Sequence, residues 1–96
     1  MTPPFSVRTT PHFERLHRRL LGRNPQLTEL LKEARRILQE DPYNRSRRYH
    51  IIKLEGVRPG EGQYRLRLGR FRIRYDISGQ EVALHYIGLR REETYR

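Results

Sequence analysis

The 96-residue chain contains no cysteine, no tryptophan and a single methionine. Without cysteine it can form no disulfide and has no thiolate for catalysis or metal binding, which fits a reducing compartment. No apolar run approaches the roughly 20 residues that a membrane helix needs, and the amino-terminal residues show no signal-peptide pattern. We therefore expect a cytoplasmic protein that is held together by its core and not by cross-links.

Acidic residues are scarce relative to basic ones. Lysine and arginine number 21 against 11 aspartate and glutamate, which gives a formal net charge of +10. A charge this high indicates an anionic partner and says little about the fold. Nucleic acid is the first candidate and an acidic protein segment the second. An anionic membrane surface comes last, because no stretch combines a basic face with large exposed apolar residues.

Several patterns that carry chemistry are missing from the sequence. Gly60 and Gly62 lie in a glycine-rich loop, but no Gly-Lys-Ser/Thr follows, so no phosphate-binding loop is predicted. The four histidines lack metal-ligand spacing, and no metal or cofactor is expected. No Ser-His-Asp or paired-carboxylate arrangement stands out. His85 could act as an acid or base from its strand, although such a histidine is more often simply hydrogen-bonded.

Capping signals predict two helices. Thr10-Pro11 is a cap followed by proline at the first helical position, and Gly22 ends that helix. Asn24-Pro25 repeats the signal and begins a second helix, which Asp41-Pro42 ends. The short link between them favours an antiparallel helical hairpin. The apolar stripe of the second helix consists of Leu27, Leu30, Leu31, Ala34, Ile37 and Leu38.

Alternating patterns predict the strands of a small, mainly antiparallel sheet. Phe5–Thr9 gives a first strand and Tyr49–Leu54 another. Val82–Ile87 is apolar on both faces except at His85, which places it centrally in the sheet. The chain is thus predicted to be a single α+β domain over residues 1–96. Its helical hairpin covers one face of a sheet of four to five strands.

The most informative segment is Tyr64–Tyr75. Apolar residues alternate with arginines, the phase slips by one at Gly69, and the alternation then resumes, which predicts two strands joined by a tight turn. Folding this hairpin places the apolar side chains on one face and arginines on the other, with Arg70 at the turn. Clustered guanidinium groups repel one another, so a polyanion is the expected occupant of that face. The arginines of the basic face are Arg65, Arg67, Arg72 and Arg74.

Together with the order of elements, four motifs resemble the RelE/ParE toxin superfamily. They are Asp41-Pro42, Lys53–Gly56, the Tyr64–Tyr75 hairpin and a closing Arg-Arg-x-x-x-Tyr at residues 90–95, in the expected order. The resemblance implies the toxin of a type II toxin-antitoxin system, neutralised by a cognate acidic antitoxin. RelE-type members cut mRNA in the ribosomal A site without a metal, and ParE-type members poison DNA gyrase.

The resemblance also assigns roles to residues. For a RelE-type cleavage site it implies basic residues of the hairpin, an arginine after the last strand and a tyrosine near the end. In this sequence the implied catalytic set is Arg65, Arg67, Arg72, Arg90 or Arg91, and Tyr95. Further contacts to RNA are expected from Arg70, Arg74, Lys53 and His85.

Arginine stands at positions 65 and 67, where active members often have lysine. Arginine does not lose its proton in a protein, so Arg67 is expected to act as fixed positive charge, and ribosomal RNA or water accepts the proton. Stacking on a base would need an exposed aromatic ring, and we expect Tyr64, Phe71 and Tyr86 in the core. Two other functions stay open: a ParE-like gyrase inhibitor and a non-catalytic basic module that binds nucleic acid. The combination of Arg72, Arg90 or Arg91, and Tyr95 favours RNA cleavage.

Overall fold

The structure, a computed structural model, describes residues 3–90. Its elements follow in the order strand, two helices and four strands. The first three are β1 (Ser6–Thr9), α1 (Pro11–Leu21) and α2 (Leu27–Glu40). The remaining four are β2 (Ile51–Lys53), β3 (Tyr64–Leu68), β4 (Phe71–Ser78) and β5 (Glu81–Leu89). The predicted α+β class is confirmed.

The five strands form one sheet in the order β1-β5-β4-β3-β2. β1 pairs with β5 in parallel, and every other neighbouring pair is antiparallel. β5 lies between β1 and β4, as its apolar residues predicted. Both helices pack against the same face of this sheet, α1 mainly on β5 and α2 on β1 and β3.

The core fills the space between the helices and that sheet face. Phe13 of α1 and Leu27, Ala34, Ile37 and Leu38 of α2 are almost fully buried. They pack with the inward residues of the sheet, which include Leu66, Ile73, Tyr75, Leu84 and Ile87. Burial of each such side chain contributes about 1.5–3 kcal/mol, so this contact is the main source of stability. Within residues 3–90, neither helix has the length and apolar character needed to cross a bilayer.

Both helices end at the predicted stop signals, Gly22 and Asp41, but only one of them starts where its cap signal predicts. The Thr10 side chain accepts a hydrogen bond from the Phe13 amide at 3.1 Å and caps α1. The predicted cap at Asn24 is wrong: α2 begins at Leu27, and Asn24 is buried. Its side-chain amide donates to the Leu20 carbonyl at 2.8 Å and so caps the end of α1. The α2 terminus therefore lies two residues later than the Asn-Pro pattern indicates.

Candidate nucleic-acid interface

The β3–β4 hairpin places four arginines together on the sheet face that the helices leave open. Arg65 pairs with Arg74 and Arg67 with Arg72, while Leu66 pairs with Ile73 on the helix side. Paired residues lie about 5 Å apart across strands and alternate residues about 7 Å apart along a strand. We call this surface, formed by Arg65, Arg67, Arg72 and Arg74, the arginine face.

The tight turn that sets this register consists of Gly69 and Arg70. Gly69 has φ +57°, a left-handed conformation that glycine adopts without strain. The backbone amide of Arg90 donates to the Arg70 carbonyl at 2.8 Å, which places Arg90 beside the hairpin turn. Arg70 also donates from its Nη2 to Asn24 Oδ1 at 3.3 Å. Arg70 and Arg90 therefore lie at the end of the hairpin, next to the arginine face and not within it.

Arg72 and Arg67 are neighbours with different surroundings. Arg72 is only 6% exposed, and its Nη1 donates to the Phe71 carbonyl at 3.4 Å. Arg67 is exposed, and its Nη2 lies 3.4 Å from Nδ1 of His50. A guanidinium with little water around it interacts more strongly with an anion than an exposed one does. Arg72 is therefore the strongest candidate for binding a phosphate, and Arg67 supplies charge at the rim.

Arg74 connects the arginine face to the glycine-rich loop between β2 and β3. Its Nε donates to the Gly62 carbonyl at 3.2 Å. Gly62 has φ +87°, and a Cβ added there would lie 2.7 Å from Cβ of Arg74. Only glycine allows this close approach, so the loop is fixed against Arg74. The glycine pattern that fails as a phosphate-binding loop has this structural role instead.

Asp76 anchors the same loop from the other side. It is buried, and its Oδ2 accepts hydrogen bonds from the amides of Gly60 at 2.7 Å and Gly62 at 3.0 Å. Its Oδ1 accepts from the Gln63 amide at 2.8 Å. His85 Nε2 lies 3.0 Å from Oδ2 of Asp76, which orients the imidazole ring. His85 comes three residues before Gly88, the partner of Arg72, so it lies about 10 Å along the strand from the phosphate-binding candidate.

Tyr86 belongs to the open face, contrary to the core position expected from the sequence. The β4–β5 register shifts between Arg74 and Tyr75, so that Tyr86 pairs with Arg74 and Leu84 with Tyr75. The additional residue is His85, a β-bulge that reverses which face the following side chains occupy. Tyr86 is half-buried, and a Cβ on Gly88 would lie 2.7 Å from its Cζ and closer still to its hydroxyl. The Tyr86 ring thus packs over Gly88, next to the backbone of Arg72.

The other two aromatic candidates face the helices as expected. Phe71 is buried in the core. Tyr64 packs against the edge of that core, and its ring stacks on Tyr75 with 5.5 Å between the ring centroids. Lys53 pairs with Tyr64 and holds its Nζ 5.8 Å from the centre of that ring. The structure therefore places Lys53 on the helix side of the sheet, opposite the arginine face. Its expected contact with RNA has to come from another surface than the one formed by the arginines.

Two of the implied site residues, Arg91 and Tyr95, lie outside the described residues. The structure brings together Arg65, Arg67, Arg72 and Arg74, and places Arg90 and Arg70 at one end of that surface and His85 at the other. Sequence reasoning expected Tyr86 in the core, because the bulge that turns it outward has no signal in the sequence. Among residues 3–90, no group of three or more histidine, aspartate or glutamate side chains is arranged to hold a metal ion.

A second basic segment lies in the loop between α2 and β2. Loop residues Arg45 and Arg48 hold their guanidinium groups over the rings of Tyr43 and Tyr49 at 4.9 and 5.4 Å. Asp41 braces the loop, since its carboxylate accepts from the amides of residues 45 and 46 and from the Ser46 hydroxyl. Partial burial would raise the pKa of Asp41, but these hydrogen bonds outweigh it and lower the pKa below its usual value. The loop is therefore held in place by Asp41 and by the rings of Tyr43 and Tyr49.

No protein-family model matches the chain, and neither does any curated protein. A search of solved structures finds a chain of the archaeal RelE-RelB complex from Pyrococcus horikoshii OT3. The two share 24% sequence identity over 91% of this chain and 96% of that chain, with a TM-score of 0.66. The helical hairpin on a five-stranded sheet is thus a RelE-like toxin fold. At this level of identity the likeness establishes the fold, and the activity has to be argued from the site.

Proposed function

We propose that this chain is the toxin of a type II toxin-antitoxin system and that it cuts mRNA in the ribosomal A site. The arginine face is the single observation that carries the proposal. Four guanidinium groups lie within one hairpin of a sheet whose other face is covered by helices. Forked, planar donors of this kind match phosphate oxygens. The RelE-like fold supports the proposal because it presents this hairpin on an open surface.

The proposed reaction uses the RNA as its own nucleophile. The 2′-hydroxyl loses its proton to ribosomal RNA or water, and its oxygen attacks the adjacent phosphorus. The bond from phosphorus to the 5′-oxygen breaks, that oxygen gains a proton, and a 2′,3′-cyclic phosphate is left. Arg72 stabilises the charge that develops on the phosphate, together with Arg90 or Arg91. Arg65 and Arg67 contribute fixed charge that favours the deprotonated 2′-oxygen, and Tyr95 orients the 2′-hydroxyl or hydrogen-bonds the phosphate.

An acidic antitoxin is the proposed regulatory partner. The net charge of +10 and the basic surface favour a negatively charged protein segment as neutraliser. Such a segment competes with mRNA by covering the arginine face. The solved complex with the same fold contains a RelB chain, which supports a two-protein arrangement. We expect both proteins, and the ribosome that the toxin acts on, in the cytoplasm.

Purified protein added to ribosomes programmed with a defined mRNA tests the activity. Primer extension should show cuts at codon positions in the A site, and the upstream fragment should end in a 2′,3′-cyclic phosphate. Arg72→Ala should lower the cleavage rate about 10²–10³-fold, and Arg72→Lys, which keeps the charge but loses the fork, should recover part of it.

Arg18→Ala provides the matched control, because Arg18 is an exposed arginine on the outer surface of α1. It should leave the rate unchanged, and circular dichroism should show all three variants folded. Absence of cuts with wild-type protein would contradict the proposal. If that absence came with DNA breaks in growth-arrested cells, the gyrase-inhibitor function would take its place.

A further inference from the structure

A cleft of about 390 Å³ adjoins the arginine face on the open side of the sheet. The start of α1 forms one wall, the glycine-rich loop forms another, and the bulged part of β5 forms its floor. Arg74 lines the cleft and also belongs to the arginine face. It is two residues from Arg72, about 7 Å along β4. The cleft therefore lies within reach of a nucleic-acid strand bound at Arg72.

The β-bulge gives this cleft its lining. In a regular strand, consecutive residues point to opposite faces, so His85 and Tyr86 could not both line one recess. With the register shifted between Arg74 and Tyr75, both side chains line the cleft. Bulges that redirect side chains in this way are over-represented beside functional sites.

The walls of the cleft are held in place by buried contacts. Asp76 fixes His85 through its Nε2 at 3.0 Å and also accepts two amides of the loop wall, from Gly60 and Gly62. Arg74 donates to the carbonyl of Gly62 and closes the same loop from the other side. The cleft thus has its shape before any ligand arrives, which lowers the entropic cost of binding.

The chemistry of the cleft suits a base better than a phosphate. Glu61 lines the cleft with a negative charge that would repel a phosphate, while His12 and His85 offer ring nitrogens. The half-buried ring of Tyr86 supplies an aromatic surface. Bases of single-stranded RNA bind by stacking on aromatic rings and by hydrogen bonds from both donors and acceptors. The arginine face, by contrast, has the donors that phosphates require.

We propose that this cleft binds the base of the nucleotide next to the phosphate held at Arg72, with the Tyr86 ring as its stacking surface. The inference rests on the proposed binding of single-stranded RNA by the arginine face. It adds a site at which the identity of one base can influence affinity. The arginines would then bind the phosphates of the RNA backbone, and the cleft would discriminate between bases.

A double-mutant cycle between protein and RNA tests the inference. The probe is a short single-stranded RNA in which one nucleotide at a time is replaced by an abasic residue, and the dissociation constant is measured by fluorescence anisotropy. At one position the abasic change should weaken binding to the wild type about 5- to 100-fold. Tyr86→Ala should weaken binding of the intact RNA by a similar factor and should make the abasic change at that position nearly neutral. Tyr86→Phe, which keeps the ring, should behave like the wild type.

Tyr43→Ala is the matched control, since Tyr43 is a tyrosine that is 40% exposed and lies outside the cleft. It should leave the position-specific loss intact. Equal abasic losses for the wild type and Tyr86→Ala at every position would overturn the inference, even if the RNA still bound with a steep salt dependence. That salt dependence belongs to the arginine face, so its loss would count against the proposed function, and loss of the base coupling alone counts against the cleft.

Discussion

The two faces of the sheet are built from the same strands but have opposite chemistry. On the helix side, Leu66 and Ile73 pair and are completely buried. At the next position of the ladder, Arg67 and Arg72 pair on the open side. An exposed arginine on α2 has a different environment, since Arg36 forms ion pairs with Glu33 at 2.6 Å and with Glu40 at 3.4 Å.

Two of the hairpin arginines have a different kind of partner. Arg67 contacts a histidine ring, and Arg74 donates to a backbone carbonyl. On α2, by contrast, the hydrogen bond from Arg36 lowers the pKa of the Glu33 carboxyl, as expected for a neutralised pair. The charge of Arg36 is therefore balanced within α2, whereas Arg67 and Arg74 have a histidine ring and a backbone carbonyl as partners on the open face. Stability should therefore depend on the helix side, and binding should depend on the open side.

The largest effect should come from adjacent residues on β3. Leu66→Ala removes a fully buried side chain and should lower the free energy of unfolding by about 2–5 kcal/mol. Arg67→Ala, one residue away on the exposed face, should change it by no more than about 0.5 kcal/mol. Urea denaturation followed by circular dichroism measures both. If Arg67→Ala lowered the free energy of unfolding by more than about 2 kcal/mol, the open face would also contribute to stability, and the distinction between the two faces would be contradicted.

A smaller, pH-dependent effect should come from Tyr75 on the helix side. Its hydroxyl donates to the Pro42 carbonyl at 2.7 Å, and burial raises the pKa of Tyr75 well above its usual value. Tyr75→Phe leaves that buried carbonyl without its partner and should cost about 1–3 kcal/mol at neutral pH. Above about pH 10 the unfolded tyrosine ionises while the folded one keeps its proton, so wild-type stability falls as the pH rises.

The phenylalanine variant lacks that ionisation, so its stability should fall less steeply and the two curves should converge in alkaline solution. Burial also raises the pKa of Tyr64, which remains in the variant and accounts for a residual decline. Free energies of unfolding from urea denaturation between pH 7 and about 11 measure this. Parallel curves for the two proteins would show that Tyr75 is not the buried group that the structure indicates.

The sequence predicted those parts of the fold that depend on local patterns. The phase slip at Gly69 fixed the hairpin register, and the cap at Thr10 fixed the start of α1, because both signals act within a few residues. Asn24 was misassigned, since its partners at Leu20 and Arg70 depend on how the hairpin meets the helices. A cap motif alone contains no information about such a contact.

The sequence predicted the cluster of positive charge in the candidate site but not the cleft beside it. The alternation of the hairpin was enough to gather the four arginines on one face. The bulge at His85 was not visible, because strands that are apolar on both faces fit either register. The anchoring role of Asp76 was hidden for the same reason, as its partners lie 13 to 16 residues away in sequence. The outward position of Tyr86 and the cleft that it lines could therefore be found only from the structure.

The dependence of RNA binding on salt concentration tests the central claim most directly. If the four arginines of the arginine face neutralise about four phosphates of single-stranded RNA, log affinity should fall against log salt with a slope of about −3. Arg67→Ala should reduce the magnitude of that slope by about 0.7, and Arg18→Ala on α1 should not change it. A slope near zero, or one that responds equally to both substitutions, would contradict the account.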